Sequence, residues 1–189
     1  MEFIGNLITY IMMVCCVIGG IGQRDELYPC ADHKNLIRSG KPMKKIMLVG
    51  RTGAGKTSFC QAIYGEDLEY KKTQAVQIIN NAIDTPGEFV ENRTLYRALV
   101  ITAADADMVV LVQDCTDDQC MFAPGFAGMF GKPAIGIVSK VDLAKDSSDI
   151  HVAEEKLELA GCERIFHISN KEKTGLEDVK AYIGIAEGE

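Results

Sequence analysis

Apolar runs recur along the chain at 44–49, 75–83, 108–113, 134–139 and 164–168, separated by helix-like segments near 56–64, 92–104, 124–130, 148–160 and 175–184. This alternation predicts βαβ crossovers and therefore an α/β, doubly wound, mainly parallel sheet. Met108-Val109-Val110-Leu111-Val112 and Ala134-Ile135-Gly136-Ile137-Val138 are continuous rather than alternating, as central strands covered by helices on both faces require. Phe126, Met129 and Phe130 have i, i+3, i+4 spacing and read as core rather than as a docking patch. Ligands of such sheets bind beyond the carboxyl ends of the strands, where the motifs described below fall.

Ahead of this pattern, residues 3–22 carry no charge, and only Asn6, Thr9 and Tyr10 among them are polar. Their length matches a bilayer core about 30 Å thick, which predicts a hydrophobic N-terminal helix able to span a membrane. Basic residues come only afterwards, at Arg24, Lys34, Arg38, Lys41, Lys44 and Lys45, so the following domain is expected on the cytoplasmic side. A signal peptide fits poorly, because no Lys or Arg precedes the run and the run is too long. A second reading competes: Met43 itself looks like a natural start, which would make 1–42 a foreign segment. Its Tyr10-Ile11-Met12-Met13 region faintly resembles the opening helix of the ethanolamine permease family. Either way the chain divides into residues 1–42, hydrophobic segment and linker, and a nucleotide-binding domain at 43–189.

With 189 residues, 47% hydrophobic and 25% charged, the chain suits one compact domain plus an appendage. A net charge of −7 and a pI near 5.0 argue against a nucleic-acid-binding surface. A single nucleotide needs only a local cationic pocket. Seven cysteines, with no Cys-x-x-Cys pair and no histidine spacing for zinc, read as reduced thiols of a cytosolic chain.

The strongest chemical signal is Gly50-Arg51-Thr52-Gly53-Ala54-Gly55-Lys56-Thr57, between the apolar run Ile46-Met47-Leu48-Val49 and a helix-like segment opening at Ser58. Strand, glycine-rich loop and helix start form the context of a phosphate-binding loop. Glycines let successive backbone N–H groups converge on one anion, the helix N-terminus adds partial positive charge, and Lys56 adds a full one. Thr57 offers a hydroxyl to Mg2+.

Asp84-Thr85-Pro86-Gly87-Glu88 begins at a predicted strand end, where the Asp84 carboxylate can hold Mg2+ through water and the Gly87 N–H can approach a γ-phosphate. Such a turn alone is common between strand and loop. Its place 27 residues after Thr57 favours the metal-binding role. Ser139-Lys140-Val141-Asp142 resembles the Asn-Lys-x-Asp base-recognition motif of GTPases, with Ser in place of Asn. Asp142 can accept from the two donors on the Watson–Crick edge of guanine, whereas adenine would set an acceptor against it, so GTP is favoured over ATP. The missing Asn amide removes a loop brace and weakens that choice; Asp142 as an ordinary helix cap is the structural alternative. His167-Ile168-Ser169-Asn170-Lys171, then Gly175 to Val179, resembles the closing loop and last helix of the same superfamily, and His167 reads as a sheet-edge residue rather than a catalyst.

With Tyr70-Lys71-Lys72-Thr73-Gln74, Phe89-Val90-Glu91-Asn92-Arg93, and Pro124-Gly125-Phe126-Ala127 before Gly131-Lys132-Pro133, the stretch 43–189 resembles the ethanolamine-utilisation P and propanediol-utilisation V family. The resemblance implies a P-loop protein of the small-GTPase type, binding ATP or GTP with Mg2+ in bacterial microcompartment systems of ethanolamine or propanediol breakdown. It also implies microcompartment shell proteins as partners and a cytoplasmic, microcompartment-associated location. By this carry-over Gly50, Thr52, Gly53, Ala54, Gly55, Lys56, Thr57, Ser58 and Gly87 hold phosphates, and Lys140, Asp142, Ser169 and Asn170 take the base side. Thr57, Thr73 (the candidate switch threonine) and Asp84 serve the metal. Lys56 and Glu88 are the catalytic candidates. Glu88 stands where many GTPases carry a water-positioning Gln, and a carboxylate there would be repelled by the γ-phosphate, so slow intrinsic hydrolysis is expected.

Three functions remain open at this point. One is a nucleotide-dependent switch or hydrolase. Another is an acetate kinase-type phosphotransferase, an activity attributed to ethanolamine-type members, with Arg93 or Arg97 as carboxylate anchors. The third is a tethering module that uses nucleotide for stability alone.

Overall fold

A computed structural model describes residues 43–68 and 72–185. The predicted membrane helix at 3–22, its flanking basic residues to Lys41, cysteines 15, 16 and 30, and Tyr70 and Lys71 lie outside the described residues. No helix among the described residues is long and apolar enough to cross a membrane.

In chain order the elements are β1 (Ile46–Gly50), α1 (Lys56–Tyr64), β2 (Gln77–Ile79), β3 (Ala82–Asp84), α2 (Glu88–Glu91), α3 (Tyr96–Ala103), β4 (Met108–Asp114), β5 (Ala134–Ser139), α4 (Ser147–Ala160), β6 (Arg164–His167) and α5 (Leu176–Ile183). Short 3-10 turns stand at Arg93–Leu95, Phe126–Phe130 and Val141–Leu143. The six strands pair in the order β2-β3-β1-β4-β5-β6, parallel throughout except for the antiparallel β2–β3 pair. The chain thus leaves β1 toward β3 on one side and β4 on the other, which opens a crevice at the carboxyl end of β1.

Strand alternation sorts the core into two layers. Met47, Val49, Val109 and Leu111 pack under α3 and α4 with Leu99, Ala153 and Leu157. Ile46, Leu48, Val110, Val112 and Ile137 pack on the other face with Phe59, Ile63, Val179 and Ile183 of α1 and α5. Both faces being covered, β1, β4 and β5 are buried at every residue, and residues 108–112 and 134–138 read as unbroken apolar runs, with the buried polar Gln113, Asp114 and Ser139 at the carboxyl ends.

Three boundaries differ from the sequence reading. The run 75–83 is a hairpin rather than one strand, because Asn80 adopts φ 51°, a left-handed conformation that asparagine tolerates in a two-residue turn. Phe126–Phe130 is a 3-10 turn, bounded by left-handed Gly125 and Gly131, although its Phe126 and Phe130 are core as expected. The segment 92–104 forms a 3-10 turn and then α3, with Asn92 capping the turn by accepting from the Thr94 N–H. The four described cysteines are free: Cys60 and Cys115 are buried, Cys162 half-buried and Cys120 exposed.

Candidate functional site

A cleft of about 390 Å3 lies over the carboxyl end of β1. Thr52, Gly53, Gly55, Lys56, Thr57 and Ser58 form its floor, Lys72 and Thr73 one wall, and Gly87 and Lys140 complete it. The floor is the loop between β1 and α1, where Gly53 and Gly55 take φ of 82° and 88°, a region a β-carbon would strain. This turns the loop around the amino end of α1, where unpaired N–H groups and the helix dipole favour an anion.

Lys56 is only 6% exposed. Its Nζ donates to the carbonyls of Gly50 at 2.8 Å and Arg51 at 2.9 Å. An ammonium has three protons, so this geometry fixes the head group and leaves one for a ligand in the cleft. Burial pushes its pKa down to about 8, against the partial support of the Asp84 carboxylate.

Beside it three oxygens converge from three segments. Thr57 Oγ1 donates to Asp84 Oδ2 at 2.6 Å, Thr73 Oγ1 donates to the same oxygen at 2.8 Å, and the two hydroxyls are 2.9 Å apart. Asp84 is fully buried, and its Oδ1 has no hydrogen-bond partner among the described residues. A buried carboxylate with an unmet acceptor beside two hydroxyls is a hard-oxygen donor set, which suits Mg2+.

Gly87 lies against the floor. A β-carbon there would stand 2.1 Å from the Thr52 backbone nitrogen, so only glycine permits the approach. One turn later, Glu91 Oε1 accepts from the Thr52 N–H at 2.9 Å, and this bond holds its carboxyl below the usual carboxylate range. Glu88 is exposed and does not line the cleft, and Lys72 Nζ donates to its Oε1 at 2.6 Å. Arg51, on the far flank of the loop, donates to Asp117 Oδ2 at 2.7 Å. Lys72, Glu91, Arg51 and Asp117 drew no notice in the sequence as parts of this network, since isolated charges carry no local pattern.

On the other side, Ser139 is fully buried and its hydroxyl donates to the Ala54 carbonyl at 2.7 Å. This corrects the expectation that losing the Asn amide leaves the loop unbraced. Lys140 has φ 60° and pairs with Asp114 at 2.6 Å, and Asp142 is half-buried in the following 3-10 turn, off the cleft's lining. Asn170 Nδ2 donates to the Gly55 carbonyl at 3.3 Å, while its buried Oδ1 has no hydrogen-bond partner among the described residues. Ser169 is fully buried, and its hydroxyl accepts from the Glu172 N–H, so that side chain closes its own loop. His167 is exposed on the edge strand β6, with Nε2 2.7 Å from Glu154. Arg93 and Arg97 are exposed and do not line the cleft.

Residues 43–185 match the PduV-EutP family, described as ethanolamine utilisation – propanediol utilisation. The propanediol utilization protein PduV of Citrobacter freundii is 42% identical over 145 residues, covering 77% of this chain and 96% of the relative. The protein named probable acetate kinase EutP of Escherichia coli K12 is 31% identical over 144 residues, covering 75% and 89%. Among solved structures, an Era variant from Aquifex aeolicus bound to GDP·AlF4− superposes with a TM-score of 0.52 at 18% identity, over 77% of this chain and 58% of that one. The fold is that of the P-loop GTPases, and the chain belongs to the PduV-EutP family of ethanolamine and propanediol utilisation.

Proposed function

We propose that the chain binds a purine nucleoside triphosphate with Mg2+ in the cleft over β1, GTP in preference to ATP. In this reading it acts as a slow hydrolase or switch in microcompartment-associated ethanolamine or propanediol breakdown. The observation that carries this reading is the Thr57–Thr73–Asp84 oxygen cluster beside the buried Lys56 ammonium. A buried cation held by two carbonyls, with a proton to spare, answers a polyphosphate; a buried carboxylate with an unpartnered oxygen answers the metal that accompanies one.

The backbone amides of Gly53 and of Gly55 to Ser58 would cradle the phosphates, those of Thr52 and Ala54 being engaged by Glu91 and by the Arg51 carbonyl, and Thr57, Thr73 and Asp84 would hold Mg2+, which supplies charge neutralisation at the phosphate oxygens. Gly87, against Thr52, would offer its N–H to the terminal phosphate. Asp142 would accept from the guanine edge, while Ser139 and Asn170, bonded to the Ala54 and Gly55 carbonyls, would tie the base side to the phosphate side. Calorimetric titration of wild type and Asp142→Ala with GTP and ATP tests the base assignment. The variant is expected to lose the preference for guanine, and a preference unchanged by the substitution would remove Asp142 from the reading.

A second reading, phosphoryl transfer between nucleotide and acetate, is favoured by the similarity to the Escherichia coli relative named probable acetate kinase. Catalysis would then be positioning and charge stabilisation in the same cleft. Acetyl phosphate formation from acetate and the bound triphosphate, at a rate above solvent hydrolysis, would support it.

A further inference from the structure

Among the described residues, three lysines line the cleft, and their ammonium groups are committed to different degrees. Lys56 is buried and held by two backbone carbonyls, and Lys140 is paired with Asp114, whose side chain is 11% exposed. Lys72 is different. Its partner is Glu88, at 2.6 Å, and the two side chains are 57% and 59% exposed. Water screens so open a pair, and holding two long side chains in one geometry costs entropy, so the contact is easily exchanged.

The pair also joins the two segments that frame the cleft. Lys72 directly precedes Thr73, whose hydroxyl bonds to Thr57 and to Asp84. Glu88 directly follows Gly87, which lies against Thr52 of the phosphate loop. A terminal phosphoryl group bound between Thr73 and Gly87 would carry more negative charge than one carboxylate and would lie in a less solvated place.

We propose that Lys72 reads the terminal phosphate: it exchanges Glu88 for the γ-phosphoryl group, selects triphosphate over diphosphate, and stabilises the charge of that group as it is transferred. This rests on the triphosphate reading of the cleft given above. In hydrolysis the bond from the γ-phosphorus to the bridging oxygen breaks, and its electron pair stays with the diphosphate. The oxygen of water bonds to phosphorus, keeps one proton and passes the other to a phosphoryl oxygen. Lys72 changes no covalent bond and keeps its own protons; Glu88 holds it within reach of the cleft between turnovers.

The test uses the full chain with Mg2+, as wild type, Lys72→Met and Lys72→Arg. Each is titrated with the diphosphates and with non-hydrolysable triphosphate analogues of guanosine and adenosine, and single-turnover hydrolysis is followed. Lys72→Met is expected to keep diphosphate affinity within about twofold, which also reports an intact fold, while the triphosphate-over-diphosphate ratio falls about tenfold and turnover falls at least as far. Lys72→Arg is expected to hold ratio and rate within about threefold of wild type, the donor and charge being kept. A Lys72→Met chain with unchanged ratio and rate overturns the inference alone, as does a parallel loss of both nucleotides. A wild-type chain that binds neither nucleotide overturns it together with the reading beneath it.

Discussion

The Ser139 hydroxyl donates to the Ala54 carbonyl at 2.7 Å, joining the end of β5 to the middle of the phosphate loop across 85 residues of sequence. A short side chain suffices because the position is fully buried and lies against the loop. Ser139→Ala leaves that carbonyl without this donor, and a buried acceptor so deprived costs about 1–3 kcal/mol. Urea unfolding is expected to show a lower midpoint with an unchanged slope. A midpoint equal to wild type would mean that the contact braces nothing.

Asp84 ties together Thr57 and Thr73 while keeping one buried oxygen unpartnered. Asp84→Asn preserves the shape but removes the charge that a divalent cation requires. The gain in triphosphate affinity on adding Mg2+ is expected to shrink about tenfold or more, with affinity in excess chelator little changed. An undiminished Mg2+ effect in the variant would place the metal elsewhere.

Burial lowers the Lys56 pKa from the ordinary 10.5 to about 8. Between those values the unfolded chain binds more protons than the folded one, so this group makes stability rise with pH from about 8 to 10.5. Below that window Lys56 is charged in both states and its burial cost is fully present. Nucleotide binding reverses the preference, because phosphates favour the ammonium. Above pH 8 binding should therefore take up a proton, and affinity should fall by up to about tenfold per pH unit. Calorimetry at pH 9 in two buffers of different ionisation enthalpy reads the uptake directly; none, with affinity flat to that pH, would contradict the assignment.

Glu88 directly follows Gly87, and once Lys72 leaves it for the phosphate its exposed carboxylate would be repelled by the γ-phosphate, so it does not stand in for a water-positioning Gln. Unassisted turnover is accordingly expected below about 1 s−1, as in GTPases that await a partner's contribution. Faster hydrolysis by the purified chain, measured as phosphate release under saturating triphosphate, would show that its own residues complete the site.

The parts of this molecule legible in the sequence are those fixed by local pattern. β4 and β5 were visible because helices cover both faces, so every residue is apolar or satisfied within the core. The phosphate loop was visible because its glycines, lysine and threonine must stand at fixed spacing between strand and helix. The β2–β3 hairpin was not: each strand has three residues, and the break rests on the left-handed Asn80. Glu91 on the Thr52 amide, Arg51 with Asp117, and Lys72 with Glu88 were likewise hidden. Each joins residues far apart in the chain, and an exposed charge looks the same whether or not it has a partner. Ser139 shows the opposite error, where a substitution in a familiar motif suggested a loss that buried geometry makes good.

The most direct measurement is calorimetric titration of the full chain and of Lys56→Ala with GTP and ATP in the presence of Mg2+. Saturable one-to-one binding of a purine triphosphate by wild type, with GTP the tighter ligand, and its loss in Lys56→Ala is the expected result. No binding of either triphosphate by a folded wild-type chain, or equal binding by both proteins, would contradict the assignment of the cleft.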